Sequence, residues 1–329
     1  MHVIHARNAT EGLFKGLAYI NRVGVLIETR NGPAWTSPVP VTTVYFQPKE
    51  CIINNPIRDA NPFFHLIEAF WLLAGRNDTQ MLDFYIKSFG SRFAEDGILW
   101  GSYGKRWRSE FGDDQLRLVI NKLKSDPSTR QAVLQMWHAP LDLVGDYKDR
   151  PCNTHVYFRI REGALDMTVV NRSNDIIMGL YGANAVQFSF LLRYVAEMVG
   201  VLVGKYYHMS NDYHAYEADT DRILKRGVYA PERYCGVYVH HLIDHPPSFD
   251  AELQILMEHI NELNSKGPID CPKMNNRFLS DTVGRAALAH FLYRKGEHHD
   301  AELVANTIGA HDWRVACVDW LQRRLKNDG

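Results

Sequence analysis

The sequence predicts an α+β fold, a large mixed sheet packed by helices and followed by a helical C-terminal extension. Three stretches carry that expectation. His155 to Ile160 and Ala164 to Val170 read as two strands joined through Arg161-Glu162-Gly163, a hairpin-like connection. Ala185 to Gly200 is a long apolar helix interrupted mainly by Gln187 and Glu197, a buried spine against which the sheet packs. Asp281 to Lys326 reads as two or three further helices. The expected division is a main domain over residues 1–265 and a helical extension over 266–329.

From the N-terminus, Asn8 to Tyr19 is a capped amphipathic helix with Leu13, Leu17 and Ala18 on one side. Val23 to Thr29 alternates as a strand, and Arg30-Asn31-Gly32-Pro33 turns the chain. An arginine on such a turn is ordinarily solvated. Asn61 to Gly75 carries Phe64, Leu66, Ile67, Phe70, Trp71 and Leu73, enough apolar surface to be mostly buried. Glu68 lies inside that surface. A buried carboxylate needs a partner or a raised pKa, and a glutamate with raised pKa suits proton movement through water. Ser88 to Gly112, rich in glycine and aromatic residues, looks like a substrate-covering loop. Asp114 to Lys124 forms a helix ended by Ser125-Asp126-Pro127, and Arg130 leads into a strand from Ala132 to Trp137. Gly179 to Asn184 is a loop before the spine helix, where Asn184 can serve as an N-cap. Val203 to His208 is a strand entering Ser210 to Tyr216, in which His214 and Tyr216, two apart, face the same way.

Composition narrows the class. The chain has 329 residues and 46% hydrophobic content, enough for one large domain with an appendage. A net charge of −1 makes no electrostatic case for polymeric nucleic acid. Cysteines at 51, 152, 235, 271 and 317 are odd in number and lack a CxxC pair, so neither a disulfide framework nor a zinc site is expected. His298 and His299 read as a solvated helix end, not a metal site. No apolar run approaches a membrane span and no signal peptide is evident, so a cytoplasmic protein is expected.

Cys152 is the centre of the chemistry. A lone cysteine is ordinarily a small buried hydrophobe. Here the second hairpin strand runs into Asn171-Arg172-Ser173-Asn174-Asp175, which delivers a guanidinium and a hydroxyl close to the thiol. Positive charge favours the thiolate, and the fork of Arg172 also suits a phosphate. An ion pair between Arg172 and Asp175 is the structural alternative. A cysteine hydrolase would need a base beside Cys152, where Asn153 stands.

Pro151-Cys152, the Asn171 to Asp175 run, Gly179 to Asn184, the apolar helix and Asp212-x-His214-x-Tyr216 follow one another in an order that resembles the thymidylate synthases. The closer resemblance is to the pyrimidine nucleotide 5-hydroxymethylases of that family, deoxycytidylate, deoxyuridylate and cytidylate types included. It extends upstream through Glu68, Tyr103 to Arg108 and Asp126 to Arg130, and covers roughly the first 220 residues. The resemblance implies a thymidylate synthase-like fold, a catalytic domain over 1–265 and 5,10-methylenetetrahydrofolate as cofactor. It also implies a homodimer that shares Arg130 across its interface. Cys152 would be the nucleophile, Glu68 would order water, Tyr103 would lie near C5, and Asp175 would face the folate. Arg30, Arg130 and Arg172 would bind phosphate, with Asn171 at the phosphate or a nearby water. Ser173 would lie beneath the nucleotide, His214 and Tyr216 would hold the 3′-oxygen, and Asn184 would read the base.

Departures from the synthases decide the expected reaction. The two tryptophans that hold folate there fall on Phe89 and Arg92, and the end of the chain, Asp319-Trp320 and onward, replaces a short apolar tail. Only Arg130 of two adjacent arginines remains, because Gln131 follows it. The base loop is one residue longer. The reading is therefore 5-hydroxymethylation of a deoxypyrimidine monophosphate by water, dCMP slightly ahead of dUMP. A divergent thymidylate synthase, a CMP hydroxymethylase and a non-catalytic nucleotide- or RNA-binding relative are the alternatives.

Overall fold

A computed structural model describes residues 1–53, 55–225 and 240–325. It divides into two units, one of Met1–Ala60, Arg106–Asp146 and Arg150–Arg233, the other of Asn61–Lys105, Tyr147–Asp149 and Tyr234–Gly329. The first holds the sheet and the second is built of helices.

The sheet has eight strands: β1 (His2–Ala6), β2 (Val25–Ile27), β3 (Ala34–Thr36), β4 (Val41–Tyr45), β5 (Val133–Gln135), β6 (Asn153–Arg161), β7 (Ala164–Asp175) and β8 (Leu202–Tyr216). Their order is β1-β4-β8-β7-β6-β5, with β3 also on β8 and β2 on β3. It is a mixed sheet, because β1 with β4 and β7 with β8 are parallel while the other pairs are antiparallel. The β6–β7 hairpin closes on Glu162 (φ 51°) and Gly163 (φ 77°), a two-residue turn whose left-handed backbone matches strand twist. Parallel strands cannot be joined by such a turn. Between β7 and β8 the chain crosses back through the helix Asn184–Val199, whose residues from Asn184 to Ala196 are all buried.

Asn8 accepts from the Glu11 amide at 3.0 Å and starts the helix Ala9–Val23, and Asp114 does the same for Gln115–Ser125 through the Arg117 amide. Two expectations change. The run from Asn171 to Asp175 belongs to β7 instead of following it, paired with β8 from Asn171↔Ser210 to Asp175↔His214. The stretch from 179 to 184 is not a loop: Ile176–Ala183 is a π-helical turn kinked at Gly182, and Asn184 is the first residue of the next helix. Asn184 is therefore no N-cap; Ala183 takes that place without a side-chain bond.

In the helical unit, Asn61 accepts from the Phe64 amide at 3.2 Å and caps Pro62–Leu73, every residue of which is buried. That helix packs on His311–Leu325 and Arg285–Lys295. Three helices after residue 281, Arg285–Lys295, His298–Ala305 and His311–Leu325, match the expected extension, and the 265 boundary falls in the last turn of Pro246–Lys266. The stretch expected as a covering loop holds two short helices, Phe89–Phe93 and Tyr103–Arg108. Gly104 lets this segment lie against the Pro62–Leu73 helix, since a Cβ there would meet the Leu72 carbonyl oxygen at 2.2 Å. Cys235 and residues 326–329 lie outside the described residues. No helix among the described residues is long and apolar enough to cross a membrane.

Candidate active site

The open end of the β6–β7 hairpin assembles most of the candidate residues. Cys152, half-buried, immediately precedes β6, and Asn153 pairs with Asn171 across the hairpin. The Arg172 amide donates to the Cys152 carbonyl at 2.9 Å, and its Nε donates to the Pro151 carbonyl at 3.0 Å. These bonds hold the guanidinium beside the cysteine, with Trp137 under it at 5.8 Å. The structural alternative for Arg172, an ion pair with Asp175, does not form. Asp175 instead accepts from the Ile177 and Met178 amides and starts the π-helical turn. Burial pushes its carboxyl above the ordinary range, against those two hydrogen bonds.

A bulge between Asn153 and His155 tilts the strand at this end. Asn153 Nδ2 donates to Asn171 Oδ1 at 3.1 Å and to the Val170 carbonyl at 2.9 Å. Asn171 Nδ2 is buried and has no hydrogen-bond partner among the described residues. A buried donor left unmet is costly, so this one marks a place for an acceptor.

One strand away, Asp212 ties the sugar-side candidates together. Ser173 donates to its Oδ2 at 3.0 Å, Thr36 to its Oδ1 at 2.9 Å, and His214 Nδ1 stands 3.3 Å from Oδ2. The His214 ring first, then Thr36 and Ser173, hold the Asp212 carboxyl at about 2 in spite of partial burial. His214 and Tyr216 do face the same way, their rings edge to face at 5.4 Å. Asn31 donates to the Tyr216 hydroxyl at 3.1 Å, which brings the turn bearing the exposed Arg30 to this end of β8. Arg130 stands apart. Its loop is anchored to β6 because Arg159 donates to the Thr129 carbonyl at 2.6 Å, and the Arg130 side chain is exposed.

Asn184 is buried, and its Nδ2 lies 3.3 Å from Gln187 Oε1. The π-helical turn before it loses helical backbone at Tyr181 and Gly182, which kinks the chain ahead of Asn184. It also depends on Gly182, with φ −120° and ψ −121°, and on buried Arg58, which donates to the Ile177 carbonyl at 3.0 Å. Arg58 was not legible as a site residue. Nor was the cluster of Asn174, Tyr206, His208 and Ser210, whose members meet only because β7 and β8 run parallel.

In the helical unit, Glu68 is buried on Pro62–Leu73 and Tyr103 opens the short helix that Gly104 seats on the same helix. Phe89 and Arg92 share one face of their short helix, three residues apart. Phe89 packs on Phe64 and Phe93, while Arg92 and Phe93 are exposed. A planar ring system has aromatic faces to meet there. A cavity of about 570 Å³ in this unit, lined by Cys271, Arg277 and Arg285 among others, holds none of the candidate residues. Among the described residues no group of three or more His, Cys, Asp or Glu side chains is placed to hold a metal ion.

The thymidylate synthase family model matches residues 58–245, more than half of the chain. The chain belongs to the thymidylate synthase family. It is 37% identical over 339 aligned positions to a deoxyuridylate hydroxymethyltransferase of Pseudomonas phage M6, covering 98% of this chain and 95% of that protein. A deoxyuridylate hydroxymethyltransferase of Bacillus phage SP01 is 44% identical over 241 positions, 69% of this chain and 59% of its own length. A putative thymidylate synthase of Methanosarcina mazei is 29% identical over 67% of this chain and 92% of its own. As a family member the chain is a one-carbon transferase, and its donor is 5,10-methylenetetrahydrofolate.

Proposed function

We propose that this thymidylate synthase family chain hydroxymethylates dUMP at C5. The observation that carries the reading is the phage relative named for deoxyuridylate hydroxymethyl transfer, which aligns over nearly the whole of both chains. The base moves from cytosine, favoured on the longer loop, to uracil, the base in that relative's name; the Asn184 amide, which can turn to meet either base, is compatible with it.

In this reading Cys152 adds as thiolate to C6 of the pyrimidine and turns C5 into a nucleophilic enolate carbon. The Arg172 guanidinium held beside it favours the thiolate and, with Arg30, binds the phosphate. The bound folate supplies a carbon at the oxidation level of formaldehyde to C5. Tyr103 lies near C5, and Glu68 orders the water whose hydroxyl ends on the new carbon. Departure of tetrahydrofolate and of the C5 proton would leave an exocyclic methylene on C5, the ordered water adds its hydroxyl there, and expulsion of the Cys152 thiolate restores the aromatic ring. Asn171 Nδ2 meets the phosphate or its water, His214 and Tyr216 hold the 3′-oxygen, and Ser173, bound to Asp212, lies beneath the sugar. Asp175 would face the folate. The chain acts as a C2 dimer in which the exposed Arg130 completes the partner's phosphate site. Tyr157, exposed on β6, offers a sheet face for that contact.

Product mass tests the reading. Purified protein with methylenetetrahydrofolate and dUMP, dCMP or CMP is expected to give hydroxymethyl-dUMP. A methyl adduct with dihydrofolate, or a hydroxymethyl adduct on dCMP alone, would overturn it.

A further inference from the structure

Two amide oxygens converge beside Gly179. A Cβ on that glycine would meet Asn184 Oδ1 at 3.0 Å and Asn174 Oδ1 at 3.1 Å, and neither oxygen has a hydrogen-bond donor among the described residues. The two amides differ in stiffness. Asn174 Nδ2 sits 2.8 Å from His208 Nε2 and 3.1 Å from Ser210 Oγ, and His208 Nδ1 is 2.5 Å from the Tyr206 hydroxyl. All four of these side chains are buried. Asn184 is tethered by one long contact to Gln187, whose amide can either accept or donate.

Proton accounting fixes Asn174 further. In the tautomer whose Nδ1–H donates to the Tyr206 hydroxyl, both amide protons are taken, one by His208 Nε2 and one by the Ser210 oxygen. Burial drives the His208 pKa down to about 3, so the ring is neutral and has a lone pair on one nitrogen to give. The Asn174 oxygen is left as an acceptor directed at the recess that Gly179 leaves open.

We propose that Asn174 is a specificity-determining residue that turns the Asn184 amide for uracil. Its fixed oxygen accepts from Asn184 Nδ2 when the nucleotide enters, which leaves Asn184 Oδ1 for the N3–H of uracil. Cytosine offers an unprotonated N3 there, so oxygen would face lone pair. The inference rests on the uracil reading above and deepens it.

The test is equilibrium binding of dUMP and dCMP to the full-length protein without folate, so that it does not depend on which product is made. Asn174→Ala is expected to lower the dUMP-to-dCMP affinity ratio by about tenfold, one hydrogen bond's discrimination. Asn174→Asp keeps an acceptor at the same place, held by donation from Ser210 Oγ and from the Nε2–H tautomer of His208, and is expected to hold the ratio near the wild-type value. Ser210→Ala, which leaves His208 as anchor, is expected to give a smaller fall of about threefold and stands in if the Asn174 variants do not fold. An unchanged ratio in Asn174→Ala, or in Ser210→Ala where it replaces that variant, overturns the inference. A collapsed ratio in a folded Asn174→Asp overturns it too. A wild type that prefers dCMP removes the uracil reading instead, and this outcome is separate from any change on substitution.

Discussion

Two buried polar clusters, one in each unit, use their hydrogen-bonding capacity differently. In the helical unit Glu252 accepts from Ser248 Oγ at 2.6 Å, Asn275 Nδ2 at 2.8 Å, and the backbone and side-chain nitrogens of Asn276, both at 3.0 Å. Burial opposes its charge, but these bonds hold its carboxyl at about 2. In the sheet unit Asn153, Asn171 and Asn174 tie one end of each amide and leave the other facing inward. The first cluster is finished without a ligand and the second is not. An unpartnered atom alone does not make that distinction. His290 in the helical unit also has a buried Nδ1 without a partner, among the rings of Phe63, Phe84, Tyr85, Tyr293 and Trp320. What sets the sheet-unit cluster apart is that the unmet atoms of Asn153 and Asn171 lie at the hairpin end that carries Cys152.

Substitutions can break this contrast. In the sheet unit, Cys152→Ser is expected to lower turnover by about 10⁴-fold or more while the melting temperature stays within experimental scatter. A parallel loss of thermal stability would mean that the thiol is structural. In the helical unit, Glu252→Ala strands the buried Asn276 amide and removes three further bonds, and should cost about 2–3 kcal/mol in urea titrations, with nucleotide affinity unchanged in the folded variant. Acid sharpens the comparison further. The folded pKa of His290 is about 3 against an ordinary 6.5, so its contribution is complete above 6.5 and lost as pH falls from there towards 3. Between pH 6.5 and 5 that is ~2 kcal/mol, and His290→Phe should flatten this part of the pH profile; an equally steep fall in the variant would assign it elsewhere, His208 included. Asn8→Ala, loss of one helix cap, should cost about 1 kcal/mol. Arg161→Ala removes an exposed arginine from buried Asp166, which keeps its bond from the Lys205 amide, and should cost less than about 1 kcal/mol.

The parts legible in the sequence are those governed by neighbours in the chain. The caps at Asn8, Asn61 and Asp114, the hairpin turn and the spine helix depend on residues within a turn or two. Arg172 beside Cys152 was legible because a hairpin of known turn position sets that pairing. The π-helical turn was not, since its extra residue is held by Arg58, more than a hundred positions away. Asn174 was passed over for the same reason: its partners arrive from β8, and a parallel register depends on packing of the crossover helix rather than on a local turn. Ser173 meets Asp212 across the β7–β8 pairing, a bond that no local pattern in the sequence signals.

The hairpin also has a direction in time. Its turn at Glu162 and Gly163 closes the end far from Cys152, and pairing runs from Arg161↔Ala164 to Asn153↔Asn171. Local pairing of this kind zips early in folding, turn outwards, and opens in reverse from the unlinked end. The last rung is the bond from the Arg172 amide to the Cys152 carbonyl. The end of the hairpin that carries Cys152 is thus its unlinked end, fastened by the Arg172 amide and by its Nε bond to the Pro151 carbonyl.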